Sequence, residues 1–509
     1  MIEELRYKAT LYEERSLIPV LDYCIAALKS DKILTDDLVN DLKAAVEPLE
    51  NVPEEMKDWH PGSNKQVLDL VHPSLWPLVY GKTRILPHDR VGVHNALDLC
   101  GSGIVIPERL DLELSDVDNY STRFQWLPSD VSISPEGKVK FESYVNNLHP
   151  VEHARLYPIL EKLIEKSLPA WDALYRWPEE FDMQRLKVTK VGTVCGTPEL
   201  CEKGYQCEPP NRPLNEGEEP RDEDERWEED YEESARGKLD FAWFRTTHPM
   251  DLPEPDPSKQ PILINSSGIR TFGFFDMAPR IQVIVKLANI HLTPESPSYE
   301  GGSWHVEGMM NEHICATALY YYDSENVTDS RLEFRTRANR EELAMEIDYE
   351  QNDDYCLHRT FAMDLNPGGE PSTTAVQHVG SVLTRPGRAL FFPNLFQHHV
   401  SPFRLADPSK PGHRKIVALF LVDPKIPIIS TANVPPQRKD WWRGEARRAG
   451  DALGKLPTEL RDMVVDQVDF PYAKDEADKL REELMKERSA AVEQTAEHLT
   501  NIEYGFCEH

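Results

Sequence analysis

The sequence predicts an α+β protein: a strand-rich segment flanked on both sides by helices. Three observations carry this. Apolar residues recur at helical spacing in residues 14–50 and 151–177, β-branched and aromatic residues alternate after Asp240 as far as residue 422, and helical spacing returns in residues 475–501. Taken in order, Leu17, Leu21 and Ile25 are spaced for a first helix. Leu38, Leu42 and Val46 are spaced for a second, which Thr35 followed by Asp36 and Asp37 is suited to start. Residues 59–140 mix short apolar runs with Pro, Gly and Asp and are expected to form loops and short strands. Leu156, Ile159, Leu160 and Leu163 share one face of a further amphipathic helix. Strands are expected at 281–290 (IQVIVKLANI), 315–322 (CATALYYY), the short RLEFRT run, 389–392 and 415–422, and the last helix carries Leu480, Leu484 and Val492 among many charges. No repeat of 20–50 residues is visible. The chain then divides into a mainly helical region (1–190), a cysteine-containing and acidic insertion or linker (191–240), a strand-rich domain (241–430) and a helical extension (431–509).

A chain of 509 residues has room for two or three units, or for one enlarged enzyme domain, and its 40% hydrophobic content is that of a folded protein. Its 57 Lys and Arg against 88 Asp and Glu give a net charge of -31, a field that repels phosphate backbones and anionic lipid, so neither nucleic acid nor a membrane surface is an expected partner. Residues 1–14 carry charges throughout and do not read as a secretory signal, and the longest strongly apolar run, 416–422, is too short for a membrane helix. A cytoplasmic location is expected. Eight cysteines without dense regular spacing fit reduced thiols. Cys195, Cys201 and Cys207, six apart, lack the CxxC spacing of structural zinc and an obvious fourth ligand nearby, so they read as a loop with free thiols or one disulfide. The acidic stretch 209–236 reads as a solvated insertion, with an acidic docking surface as the alternative.

The chemistry is concentrated in two segments. GGSWHVE (301–307) sets His305 and Glu307 two apart just before a strand, and side chains at i and i+2 of extended backbone point to the same side, where an imidazole and a carboxylate can grip one ion. His-x-Glu alone is common. Nearly a hundred residues on, RALFFPNLFQHHVSP (388–402) supplies a histidine between two strands, and Arg414 opens the strand KIVALFLV. Two histidines and one carboxylate on a single face leave positions of Fe(II) open, as non-haem oxygenases require.

With these residues the sequence resembles the Fe(II)- and 2-oxoglutarate-dependent dioxygenase superfamily, whose core is a double-stranded β-helix, or jelly roll. The shared pattern is His-x-acid, a strand like CATALYYYD, His-x-Val-x-Pro, and a basic residue opening the next strand. His398, Val400 and Pro402 match its third part, which implies His398 rather than His399 as a ligand beside His305 and Glu307. The resemblance further implies that Arg414 pairs with the distal carboxylate of 2-oxoglutarate, that Tyr321 bonds the same carboxylate, and that Thr317 lines the pocket. Glu307 departs from the usual Asp. The loop before Arg414 is long, which leaves His413 and Arg404 as alternatives to it. QWLPSD, ESYVNNLHP and the long interval before GGSWHVEG make the chain similar to a fungal family known as a domain of unknown function, some relatives of which act on free amino acids in secondary metabolism.

Leu332 and Phe334 are candidates for an apolar substrate wall, with ordinary core packing as the alternative; His313, Asn289 and His291 rank lower. The expected function is oxidation of an unactivated C–H bond (hydroxylation, desaturation or ring closure such as aziridine formation) using Fe(II), 2-oxoglutarate and O2, with an amino acid or an amino-acid-derived metabolite as the small-molecule substrate. The alternatives are a protein hydroxylase or demethylase, a cupin-like isomerase using zinc or manganese, and a metal-free jelly-roll scaffold.

Overall fold

The computed structural model describes residues 2–21, 26–109, 119–180, 188–201, 211–220, 231, 234–251, 275, 278–339, 343, 347–348, 354–365, 373–448 and 455–504. The chain is a mixed α+β protein that falls into two compact units. The first comprises Met1–Gln184, Pro261–Thr336 and Val379–His498; the second comprises Arg185–Gln260, Arg337–His378 and Leu499–His509. These units cut across the four segments read from the sequence.

The first unit is built on a large antiparallel sheet of nine strands: β1 (Ile18–Val20), β2 (Ala27–Ser30), β3 (Val67–Val71), β4 (Ser129–Ile133), β5 (Val139–Phe141), β6 (Arg280–Leu292), β7 (Ile314–Glu325), β11 (Arg388–Pro393) and β13 (Gly412–Val422). A second sheet contains β8 (Ser330–Arg337), β10 (Thr373–Thr384) and β12 (Gln397–Val400), and β9 (Met363–Leu365) and β14 (Glu503–Tyr504) pair with β10 in the second unit. The order across the large sheet is β1-β2-β11-β7-β13-β6-β4-β5, with β3 also against β6. Its centre is where the sequence alternates most strictly, and the alternation sorts the side chains onto two faces. Ala316, Ala318, Tyr320 and Tyr322 of β7 and Val417, Leu419 and Leu421 of β13 face one apolar core. Leu319 and Tyr321 of β7 and Ala418, Phe420 and Val422 of β13 face another.

Helices cover the first face. α2 (Asp36–Glu50) starts where expected, with Thr35 capping the Leu38 amide, and buries Leu38, Leu42 and Val46. α3 (Tyr157–Glu180) buries Ile159, Leu160 and Leu163, and it is pinned to the sheet by the buried Tyr320 hydroxyl, which donates to the Leu163 carbonyl (2.8 Å). The inner face packs on Leu332, Phe334 and Val382 of the second sheet. Further helices are α1 (Ile2–Arg15), α4 (Ala235–Thr247), α5 (Asp354–Phe361), α6 (Lys439–Arg448), α7 (Thr458–Asp466) and α8 (Lys474–Asn501).

Two expectations are corrected. The first helix ends at Arg15, and Leu17–Leu21 are not helical: Ser16 and Leu21 have positive φ, and Ile18–Val20 forms an edge strand, while Ile25 lies outside the described residues. Residues 1–190 also hold more sheet than a mainly helical region: β3 to β5 fall where short strands are expected, but they and the unexpected β1 and β2 all belong to the large sheet. Their runs looked weak because buried polar residues interrupt them: Asp69 in β3, Ser129 and Asp130 in β4. Among the described residues no helix is long and apolar enough to cross a membrane.

Candidate metal centre

Residues 301–305 do not form a regular strand but run antiparallel to β12. His305 and His398 exchange both backbone hydrogen bonds (2.9 and 3.2 Å), and the Gly302 amide donates to the Val400 carbonyl (3.1 Å). Gly301 makes the close approach possible: its φ is +97°, and a Cβ there would lie 2.6 Å from the Val400 oxygen. The arm thus adds to the edge of the second sheet and sets two imidazoles opposite each other, ring centroids 4.5 Å apart.

The ligand-type atoms of His305, Glu307 and His398 all lie within 4.8 Å of one another. Glu307 Oε1 is 3.4 Å from His398 Nε2 and 3.9 Å from His305 Nε2. Donors ~2.1 Å from an ion and at right angles lie ~3 Å apart, so a small inward shift closes the set on a metal. The His305 Nδ1 is 2.7 Å from the Ser303 carbonyl, an acceptor that holds the proton there and frees Nε2 for an ion. Burial, and then the neighbouring His398, push the His305 imidazole down to about 4. Burial would raise the Glu307 carboxyl, but the hydrogen bond from His398 and the charges of His305, His398 and Lys286 outweigh it and hold the group at about 2. At neutral pH the pair is a neutral imidazole and a carboxylate, the forms in which each donates to a metal. The His305 side chain is 36% exposed against 4% for His398, so the centre opens on the His305 side.

Sequence reasoning missed Asn394. Its amide accepts from the Glu307 N–H (2.8 Å) and donates to the Glu307 and Ile314 carbonyls (2.8 and 3.1 Å), fixing the backbone that carries the carboxylate. The only sequence signal was an Asn directly after a strand-ending Pro. His399 points the other way, its Nε2 2.9 Å from Glu333 and its ring against Trp304.

Arg414 lies on the inner face of β13 and is 4% exposed. Its guanidinium sits over the Tyr321 ring (4.9 Å) and donates to Ser330 Oγ (3.1 Å), while its Nε has no hydrogen-bond partner. Among the described residues no carboxylate pairs with it. Burial lowers its affinity for a proton, and burial raises the Tyr321 phenol while Arg414 pulls it back. Thr317, two pairs along β7 on the same face as Tyr321, is fully buried with its hydroxyl unpaired. Parity separates Arg414 from its neighbour: His413 is on the helix-covered face, 3.0 Å from Asp323, and Arg404 is exposed.

Phe334 stands directly opposite His398 and packs edge-on against Phe392 and Phe396; Leu332 is opposite Val400, and both are buried. Asn289 and His291 are not brought to the centre: Asn289 bonds Glu50 (2.6 Å) on the helix-covered face, and His291 shares that face beside Trp59. His313 ends a short 3-10 turn and lies outside the group. Lys286, half-buried on the inner face of β6, was also missed.

A second group, His60, Asp69 and His72, has ligand atoms equally close. Here Asp69 already pairs with Arg481 (2.7 Å) and His60 (2.8 Å), so a guanidinium occupies the place a cation would take.

Residues 1–445 match the family described as "Protein of unknown function (DUF4246)", and the chain belongs to that family. None of the curated proteins matches it. Several solved structures are distantly similar, and three of them illustrate the likeness. They are a selenomethionine-labelled Fe(II)/α-ketoglutarate-dependent dioxygenase, TqaL (14% identity over 30% of this chain and 47% of that one, TM-score 0.18), a bsmA homolog from Methylobium petroleophilum PM1 (14%, 34% and 57%, 0.18) and IDO from Bacillus thuringiensis (13%, 34% and 68%, 0.16). The match spans about half the length of the first two, and at such scores the likeness carries no argument about function.

Proposed function

We propose that this chain is an Fe(II)- and 2-oxoglutarate-dependent oxygenase acting on a C–H bond of a small molecule, with the two facing sheets of the first unit forming a double-stranded β-helix. The observation that carries the reading is Arg414: a buried guanidinium over the Tyr321 ring, with no carboxylate partner among the described residues. A charge is costly to bury alone, so the site is built for an anionic ligand. A planar guanidinium gripping one carboxylate in two bonds, with Tyr321 beside it, suits the far end of a keto diacid, while Thr317, opposite Phe420 on β13, lies further along the same face.

His305, Glu307 and His398 would hold the metal, and two imidazoles with one carboxylate leave the open positions that suit ferrous iron. When bound, iron with O2 and 2-oxoglutarate supplies the oxidising power to remove hydrogen from an unactivated C–H bond, 2-oxoglutarate leaving as succinate and carbon dioxide. The chain's part is positioning. Ser303 sets the His305 tautomer, Asn394 fixes Glu307, and Phe334, Phe392 and Phe396 keep the His398 side of the centre dry. Lys286 has no ion pair among the described residues, and its charge suits the carboxylate of an amino acid or a derived metabolite.

The test is anaerobic addition of Fe(II) and 2-oxoglutarate to the purified chain, followed by aerobic turnover with a panel of free amino acids, read as succinate. A weak visible charge-transfer band and substrate-stimulated succinate are expected. Both should be lost in His398→Ala and kept in His399→Ala. Metal binding without the band and without succinate would replace this reading with a cupin-like isomerase; no metal at all would leave a scaffold; peptide-stimulated succinate would point to a protein substrate.

A further inference from the structure

The cysteine cluster of the second unit has a partner that its spacing did not announce. Cys207 lies outside the described residues, but His248, at the end of α4, comes to Cys195 and Cys201. The two Sγ atoms and a ring nitrogen of His248 all lie within 4.8 Å of one another, and Cys201 Sγ is 3.3 Å from His248 Nε2. Zn–S of ~2.3 Å and Zn–N of ~2.0 Å at a tetrahedral angle place sulfur and nitrogen ~3.5 Å apart, so Cys201 and His248 already stand close to the separation zinc imposes.

The surroundings hold this arrangement. Residues 192–196 run antiparallel to residues 247–251 through Gly196 N–H to Thr247 O, Val194 N–H to Pro249 O and Asp251 N–H to Gly192 O (each 2.9 Å). Gly196, directly after Cys195, is required there, because a Cβ would lie 2.6 Å from the Thr247 oxygen. Cys201 is 6% and His248 1% exposed, and the imidazole is clamped flat against Phe244 (4.4 Å, 8°). Its Nδ1 is 2.9 Å from Thr247 Oγ1, so the second ring nitrogen is engaged while Nε2 faces the thiols.

We propose that Cys195, Cys201 and His248 form a zinc-binding site in the second unit, separate from the oxygenase centre. Two thiolates and an imidazole favour zinc over ferrous iron, magnesium or calcium. The ion would close a loop of 47 residues between Cys201 and His248, the loop that contains the acidic stretch. Closing a loop of that length is where a metal clip stabilises most, and the apolar cluster described in this unit is small: Val191, Ala338, Leu343, Ile347, Cys356, Leu357 and Met363.

The test uses the full-length reduced chain, stripped of metal and titrated anaerobically with Co(II). A near-ultraviolet sulfur-to-cobalt charge-transfer band with intense tetrahedral visible bands is expected, displaced by about one equivalent of Zn(II). The His305–Glu307–His398 centre has no sulfur and cannot produce it. The band should disappear in Cys195→Ser and Cys201→Ser. A second readout needs no variant: Zn(II) should slow alkylation of Cys195 and Cys201 in the wild-type chain, mapped by mass spectrometry, and a chelator should restore it. Absence of the sulfur band in the wild type, its survival in both serine variants, or alkylation unaffected by Zn(II) would overturn the proposal.

Discussion

At the scale of single residues, the centre depends on which way neighbouring side chains point. His398 and His399 differ by one position and face opposite sides of β12, as do His413 and Arg414 on β13. The pattern His-x-Val-x-Pro and the strand-opening basic residue were therefore legible, because a two-residue period carries the information. Asn394 and Lys286 were not legible, since nothing local marks an amide or an amine that acts on a residue far away in sequence. If Arg414 holds the distal carboxylate, Arg414→Ala should weaken 2-oxoglutarate binding by about a hundredfold or more, since a buried charged partner contributes several kcal/mol. Arg414→Lys should recover only part of this, because an ammonium cannot make the paired bonds. Titration of the anaerobic charge-transfer band with 2-oxoglutarate measures both; equal affinity in all three proteins would remove Arg414 from the cosubstrate site.

Among the elements, the strict alternation of β7 and β13 was readable from the sequence, and so was α2, whose start is set by Thr35. The strands between residues 67 and 141 were hard to read, because Asp69 and Asp130 are buried where the pattern expects apolar residues. Each is satisfied by tertiary contacts, Asp69 by Arg481 and His60, Asp130 by Gln282 and Arg90, and such partners are invisible locally. The acidic stretch gives a similar lesson. It is expected to be a solvated insertion, and residues 213–217, 219 and 220 are exposed, but Arg212 is buried against Asp240 and Glu218, which ties residues 212–218 to α4. The arm carrying His305 offers a prediction at this scale. Gly301→Ala should push the arm off β12 and reduce metal affinity by about tenfold or more, while the melting temperature, set by the two large cores, moves little. Metal titration with parallel thermal denaturation checks this; unchanged affinity would show that the arm does not need its close approach.

For the whole molecule, buried histidines contribute to the response to mild acid. His291 is held at about 4, first by burial and then by His413, against an ordinary 6.5, and burial puts His72 well below its usual value. Between 6.5 and 4 the unfolded chain binds a proton that the folded His291 refuses, so this contribution to stability is fully present above pH 6.5 and falls as pH drops through the window. His291→Gln should remove about 1 kcal/mol of the stability lost between pH 7 and pH 5, allowing for partial exposure. Denaturant unfolding at the two pH values tests it; an unchanged difference would mean that His291 titrates normally in the folded chain. The division into two units was the least legible feature of all. The second unit draws on three stretches of chain, and neither composition nor spacing records which distant segments pack together.

The paired backbone bonds between His305 and His398 have a practical consequence. Two of the three donors are positioned by the peptide framework before any ion arrives, so loading needs no refolding, and the chain has little means of rejecting a tighter-binding visitor. Copper, nickel and zinc all outrank ferrous iron in intrinsic affinity for such donors. On the proposed reading, protein produced in rich medium should carry whatever the host supplies, and its competence should depend on how it was metallated as much as on how it was folded.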